Sequence, residues 1–404
     1  MTLSEELQWR GFVNQTTFPD ISALDGEPIS FYWGVDPSAD SMTIGNLAMA
    51  MMVRHFIEHG HKAYLLVGGA TGMIGDPDGK KQERDLLTVD DIAHNKAAIA
   101  EQYKTVFAGQ PFEIVDNYDW FKDMNYLTFL REVGKNVPLS SMLGREFVQS
   151  RLGDEGAGIS YAEFSYSLIQ GYDYLHLFRE HGVTLQVAGA DQWGNSIAGV
   201  DLIRRSEGAE AHIWTGPLIV NKTTGVKFGK SEEGAVWLDP AKTSVYKFYQ
   251  FWLNVDDAGA IDYAKIYTLL SPEALNELAA KQQANPAARD AQKTLAHEVT
   301  KIVHGEERTA SVERVTSVLF GDEDFNSLSS EDLDVLAQEI PVAAVGTSAI
   351  EALVSAGVAG SNGEARRLIA GGGVAFNGVK LADDQVLAQA GLLKKGKNSF
   401  ILVR

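Results

Sequence analysis

The sequence predicts an α/β protein: a parallel-sheet domain carrying a helical insertion, then an all-α segment, then a small basic α+β module. Three observations predict it. Short apolar strand patterns at 31–35, 63–67 and 184–188 are interleaved with helical patterns, the order that builds a parallel sheet. From Val245 to about Phe320 the periodicity is helical throughout, with no strand pattern. Beyond an acidic, Ser/Asp-rich stretch at 321–346 the chain changes character, to a basic helix, a glycine turn and a short hairpin.

Leu3 to Phe12 reads as a leading helix. Phe31 to Val35 is a short buried strand, and Ile44 opens a helix with apolar residues at helical spacing. Between them lies a turn of Asp36, Pro37, Ser38, Ala39, Asp40 and Ser41, with Gly45 in the first helical turn. A helix N-terminus offers an anion unpaired N–H groups and a partial positive charge, and glycine lets a ligand approach the backbone. Taken alone, this is equally the pattern of a plain strand–turn–helix connection.

Ala63 to Val67 is a second strand, entering GGATGMIGDPDGKKQER at 68–84. That loop has neither the G-x-G-x-x-G nor the G-x-x-x-x-G-K-[ST] spacing, so the dinucleotide and P-loop readings both fail. Residues 88–150 read as helices and loops inserted into the α/β order. Residues 161–180 form a strongly periodic helix, and Thr184 to Ala188 a strand whose C-terminal end carries Gly189, Asp191 and Gln192. Ligands bind outside the carboxyl ends of parallel strands. Three such ends, at 34–38, 68–76 and 189–192, carry polar clusters, and their convergence predicts an active site.

The 404 residues suffice for two or three domains, and 45% hydrophobic with 22% charged residues is an ordinary soluble composition. No apolar run approaches about 18 residues, and MTLSEELQWRGFVNQTT lacks the pattern of a secretory signal. The absence of cysteine removes disulfides and thiolate metal sites and fits a cytosolic protein. A net charge of −19 argues against nonspecific nucleic-acid binding. Yet residues 347–404 hold seven Lys/Arg against four Asp/Glu, a net +3, which leaves −22 for the rest. A basic module on an acidic body is placed to receive a polyanion.

Two cationic loops stand out: Lys80, Lys81 and Arg84 in one, and Lys227 and Lys230 beside Ser231 in the other, within NKTTGVKFGKSEEG. Lysines three apart beside a hydroxyl suit a loop that closes over a triphosphate; solubilising surface is the bland alternative. Tyr166, Gln170 and Asp173 fall at i, i+4 and i+7, on one helix face, which is also what the wet side of an amphipathic helix gives. His55 and His59 are i, i+4 without an acidic partner in motif spacing, so a surface pair is expected and no metal site.

TIGN at 43–46 and KFGKS at 227–231 resemble the HIGH and KMSKS signatures of class I aminoacyl-tRNA synthetases. The flanking residues resemble the bacterial-type tyrosyl-tRNA synthetases, and the similarity runs from LQWRGFVNQTT to the end of the chain, which resembles an S4-type RNA-binding module. The resemblance implies a Rossmann-like catalytic domain over 1–222, with an inserted dimerisation region around 120–160. It further implies the KFGKS loop and a helical anticodon-arm domain over 223–320, a linker at 321–346 and the RNA-binding domain at 347–404. The implied activity is tyrosine–tRNA ligation: ATP and L-tyrosine give tyrosyl-adenylate and pyrophosphate, then tyrosine passes to the 3′-terminal ribose of tRNA(Tyr). Mg²⁺ is expected to arrive with ATP. A cytoplasmic homodimer is expected, without DNA or membrane partners.

Residue by residue, the resemblance puts Tyr32 and Asp173 at the substrate phenol and Asp76, Tyr166 and Gln170 at its ammonium. Gln192 falls near the reacting carboxylate. Gly34, Asp36, Gly45, Gly189, Asp191, Ile219 and Val220 fall at the nucleotide, and Ser38 and Thr43 at its γ-phosphate. Asn46, Lys80, Arg84, Lys227, Lys230 and Ser231 join the catalytic set. Arg204, Arg205, Arg366 and Arg367 are the expected tRNA contacts; a structural Trp193 and a solvated Arg204–Arg205 pair is the rival reading there. A site built to hydrogen-bond a substrate hydroxyl rejects the analogue that lacks it, an effect for which tyrosyl-tRNA synthetases are themselves a standing example. The chain departs from the pattern at Thr43 and Asn46, where the family usually has histidines, and at Trp33, usually a small residue. Activity is still expected, with weaker γ-phosphate binding. Two rival readings remain at this level: a catalytically inactive RNA-binding paralogue, and the same chemistry on tryptophan.

Overall fold

Strands rich in buried Val, Leu and aromatic residues alternate with helices over the N-terminal half. In chain order they are α1 (Leu3–Arg10), β1 (Gln15–Thr16), β2 (Ser30–Val35), α2 (Ile44–Glu58), β3 (Lys62–Val67), α3 (Thr71–Ile74), α4 (Val89–Val106) and β4 (Phe112–Asp116). Short helices follow: α5 (Tyr118–Phe121), α6 (Tyr126–Glu132), α7 (Leu139–Leu143) and α8 (Glu146–Leu152). Then come α9 (Tyr161–His181), β5 (Val183–Gly189), α10 (Trp193–Glu207), β6 (His212–Gly216) and the two-stranded β7 (Lys230–Ser231) and β8 (Gly234–Ala235). This computed structural model describes residues 1–77, 86–152, 158–231, 234–321 and 323–404.

The main sheet has the order β1-β6-β5-β2-β3-β4. β2 to β6 are parallel and the two-residue β1 runs antiparallel at the edge. Strand β2 lies between β5 and β3, so the order reverses there and the crevice at its carboxyl end is where such sheets bind ligands. Strand β4 corrects the reading of 88–150 as helices and loops only. Its burial is weak, as an edge strand's is, and its apolar pattern is correspondingly faint.

Helix α9 carries the predicted face. Ser160 and Glu163 form a capping box at its start, and Gly182 closes it in the left-handed conformation. Glu163 also holds Arg151 of α8 through two 2.8 Å bonds, both side chains buried, which fastens the inserted helices to α9. Leu168, Leu175 and Leu177 pack into a core with Tyr64, Tyr174 and Val183.

The later chain is helical as expected: α11 (Val245–Leu253), α12 (Asp257–Tyr267), α13 (Pro272–Ala284), α14 (Asp290–His304) and α15 (Glu306–Phe320). Contacts divide the whole chain into two compact units, residues 1–243 with 254–299, and residues 244–253 with 300–404. The second unit adds α16 (Ser330–Glu339), β9 (Val342–Ala343), α17 (Ala349–Ser355), α18 (Asn362–Ala370), β10 (Val374–Phe376), β11 (Val379–Lys380), β12 (Gly391–Lys395) and β13 (Ser399–Val403). Its sheet runs β11-β10-β12-β13-β9. The stretch 321–346, read as a linker, therefore holds a helix and a strand. Asp332 of α16 is fully buried and takes Arg314 and Ser311 from α15, so its acidic composition is not that of a tether.

Candidate active site

A cavity of about 600 Å³ opens at the carboxyl ends of β2, β3 and β5. It brings together Tyr32, Gly34, Asp36, Ser38, Thr43, Gly45, Asn46, Asp76, Tyr166, Gln170, Asp173, Gly189, Asp191, Gln192, Ile219 and Lys227. Val220 does not line it; its side chain is exposed and its carbonyl accepts the Tyr263 hydroxyl. Lys80, Lys81 and Arg84 lie outside the described residues, as do the side chains of Lys230 and Ser231. Arg204, Arg205, Arg366 and Arg367 are exposed on helices, and Arg204 pairs with Asp201.

One end of the cavity is deeply buried. Asp173 is 2% exposed, and its carboxylate oxygens accept the Trp120 indole N–H at 2.9 Å and an Asn117 amide N–H at 3.1 Å. Burial pushes its carboxyl up to about 8, against the pull of those two donors. Tyr32 is 2% exposed, and its hydroxyl has no hydrogen-bond partner among the described residues. An unpaired buried hydroxyl is costly unless a ligand satisfies it. Trp120, which stacks on His176 at 4.4 Å, and Asn117 went unmarked in the sequence because both fall in the irregular inserted region.

A chain of hydrogen bonds leads from this end to the middle of the cavity. Asn117 donates to Thr71 Oγ1 at 3.0 Å, Thr71 to Asp36 Oδ1 at 2.6 Å, and Tyr166 to Asp36 Oδ2 at 2.6 Å. Gly68 is required here, since a Cβ would sit 2.2 Å from both Asp36 Oδ1 and Thr71 Oγ1. Asp76 accepts Gln192 at 2.6 Å and Asn195 at 3.4 Å, and Asn195 also donates to Gln192 Oε1. Asn195 is a further residue the sequence reading missed. The Oε1 atoms of Gln170 and of buried Gln186 have no hydrogen-bond partner among the described residues.

The other end is the N-terminus of α2. Thr43 donates through both its N–H and its hydroxyl to Asn46 Oδ1, at 2.9 Å each, so the residues standing in the histidine positions cap the helix as a pair. The hydroxyl proton of Thr43 is thereby committed within the pair. The chain after KFGKS lies against this helix start, with Ile44 N–H on the Val236 carbonyl and Leu238 N–H on that of Met42. Trp33 is buried with its ring against Tyr103 and Phe107, and the residue is among those lining the cavity.

The expected surface histidine pair is half wrong. His55 is buried, its Nδ1 within 3.5 Å of Glu6 and 3.4 Å of Glu58, while His59 is partly exposed and faces Glu6 at 3.6 Å. The acidic partners come from another helix and from i+3, which motif spacing does not reveal.

The family model of class I tRNA synthetases (W and Y) matches residues 24–321. Over the full chain the sequence is 44% identical to the tyrosine–tRNA ligase of Bacteroides fragilis, covering 99% of that protein. It is 42% identical, again over the full chain and 99% of the relative, to tyrosine–tRNA ligase 2 of Bacillus cereus. A C-terminally truncated mitochondrial tyrosyl-tRNA synthetase of Aspergillus nidulans superposes with a TM-score of 0.72 at 27% identity, over 79% of this chain and 94% of that one. Family model, full-length relatives and fold agree, and the chain belongs to the class I tRNA synthetases, in the tyrosine–tRNA ligase family.

Proposed function

We propose that the chain activates L-tyrosine with MgATP and transfers it to tRNA(Tyr), using this cavity as a two-ended site. The observation that carries the substrate is the buried pair at its closed end, a Tyr32 hydroxyl without a partner among the described residues beside an Asp173 carboxylate held by two N–H donors. A phenol accepts from the first and donates to the second; an indole N–H cannot do both. The substrate ammonium has three N–H groups, and Asp76, the Tyr166 oxygen and Gln170 Oε1 are three acceptors for them.

A substrate carboxylate oxygen then attacks the α-phosphorus of ATP; the new P–O bond forms as the bond to the β-phosphate oxygen breaks, and pyrophosphate leaves. The carboxylate is already ionised at neutral pH, so no general base is needed. What the chain supplies is alignment and positive charge at the leaving group. Asn46, Ser38, Lys227 and the α2 N-terminus serve the triphosphate, with Lys80, Arg84, Lys230 and Ser231 expected beside them. Asp36, Asp191, Gly34, Gly45, Gly189 and Ile219 serve the nucleoside. Mg²⁺ enters on the triphosphate, as part of the substrate.

The reading includes the 347–404 module as the tRNA-binding end, with Arg366 and Arg367 among its contacts, and a cytoplasmic enzyme acting as a homodimer. Exposed Leu127, Leu139 and Leu152 in the inserted helices support a self-association face. Sedimentation tests it, a monomer at micromolar concentration counting against.

ATP–pyrophosphate exchange across all twenty amino acids, without tRNA, tests the activation step. Exchange with tyrosine alone is expected. Silence with every amino acid would favour the inactive RNA-binding paralogue, and exchange with tryptophan would refute the phenol assignment. Removing residues 347–404 should leave exchange unchanged and abolish charging of tRNA(Tyr); retained charging would remove the module from tRNA binding.

A further inference from the structure

We infer that Tyr263 is a positioning residue for the catalytic loop, fixing the direction of Lys227; this rests on the reading of Lys227 as a clamp on the leaving pyrophosphate. Residues 219–228 form a narrow hairpin, with Phe228 N–H on the Ile219 carbonyl at 2.8 Å, Asn221 N–H on that of Val226 at 2.8 Å, and a bridge between Val220 and Lys227. One side chain of α12 holds both arms. The ring of Tyr263 stacks on that of Phe228, centroids 4.2 Å apart and planes 19° from parallel, with Tyr267 behind at 6.2 Å. The Tyr263 hydroxyl accepts Lys222 N–H at 3.3 Å and donates to the Val220 carbonyl at 3.4 Å.

Successive residues in an extended chain face opposite sides. Phe228 is buried with its ring on Tyr263 of α12, and both it and Lys227 beside it line the cavity. Pinning the ring holds the backbone from which the adjacent Lys227 side chain departs, and so fixes where the lysine can reach. The platform beneath is itself fixed. Buried Arg10 donates to the carbonyls of Lys265, Thr268 and Leu270 at the end of α12, at 2.8, 3.2 and 2.9 Å. At its start Asp256 accepts Gly259 N–H and the Thr223 hydroxyl of the hairpin turn. Gly259, one turn before Tyr263, gives the ring its place: a Cβ there would lie 2.4 Å from Tyr263 Cε2.

The test is a double-mutant cycle in ATP–pyrophosphate exchange, with tyrosine affinity measured separately on the full chain. Tyr263→Leu should lower kcat about tenfold with tyrosine binding within about twofold, while Tyr263→Phe, which keeps the ring, should stay within about threefold. In the Lys227→Ala background, Tyr263→Leu should cost less than about a further twofold, because the residue it positions is gone. An equal loss in both backgrounds, or a loss of tyrosine affinity as large as that in kcat, would overturn the inference. A slow Lys227→Ala with a fully active Tyr263→Leu sinks this proposal alone; an unimpaired Lys227→Ala sinks the clamp reading and this with it. Should Tyr263→Leu not fold, Gly259→Ala crowds the ring from below and must show the same kcat loss, a normal kcat being fatal.

Discussion

At the buried end of the cavity, the proposed phenol site, a continuous chain of hydrogen bonds joins Trp120, Asp173, Asn117, Thr71, Asp36 and Tyr166. At the other end, the proposed phosphate site, the polar groups are a helix start, the Thr43–Asn46 pair and an exposed lysine on a hairpin. The first end is held by the sheet and by α9 through bonds within the chain. The second draws on segments nearly two hundred residues apart in the chain, from Thr43 to Lys227. Recognition of the amino acid is a ground-state task, which preorganisation serves. Stabilising a leaving pyrophosphate is a transition-state task, served by charges that engage only as the bond breaks.

That contrast predicts two different kinetic signatures. Asp173→Asn turns an amide N–H₂ toward one of the Trp120 and Asn117 donors, so the pocket loses an acceptor and gains a donor–donor conflict. The kcat/KM for tyrosine should fall by about 10²–10³-fold, and preference over phenylalanine should shrink with it. Lys227→Ala should instead lower kcat by about 10²-fold, as expected for a lost transition-state contact, and leave the tyrosine Kd unchanged. Equilibrium dialysis beside the exchange assay distinguishes the two. If both substitutions shift Kd alike, the two ends are not separate in function.

The legibility of the site in the sequence follows the same division. Strand–turn–helix order exposed the cluster at 34–38, and one helix face exposed Tyr166, Gln170 and Asp173, because period and turn chemistry are local properties. The KFGKS loop was legible as a motif, but nothing in its composition indicates that Phe228 lies on Tyr263. Asn117, Trp120 and Asn195 were illegible for a related reason: each acts through a partner distant in sequence, and an isolated Asn or Trp has no periodic signal. Strand β4 was missed because an edge strand is only partly buried. The helix α16 was missed because its buried Asp332 reads, by composition, as solvent-facing acid.

Trp120 gives a smaller effect that sharpens the comparison. Trp120→Phe keeps a ring to stack on His176 but removes the N–H from Asp173 Oδ1. One charge-assisted bond of the carboxylate is lost while the phenol contact remains. Tyrosine affinity should weaken by about tenfold with kcat little changed. A loss confined to kcat would move Trp120 out of recognition.

The comparison extends to pH. With the Asp173 carboxyl pushed up to about 8 by burial, the acceptor form that a phenol O–H requires is the minor form at pH 6 and the major form at pH 9. Binding tyrosine selects the carboxylate, so affinity should rise with pH, by up to about tenfold per unit below that value, and level off above it. For a carboxylate held low by a cation the sign is the same but the window is acidic, since its acceptor form is complete throughout the neutral range. Measured by titration between pH 6 and 8.5, the Kd should fall across this window in the native chain and stay flat in Asp173→Asn, where nothing at that position titrates. A flat profile in the native chain would mean that the Trp120 and Asn117 donors outweigh burial and keep Asp173 ionised throughout. The phenol end would then be fully ordered in charge as well as in geometry before tyrosine arrives.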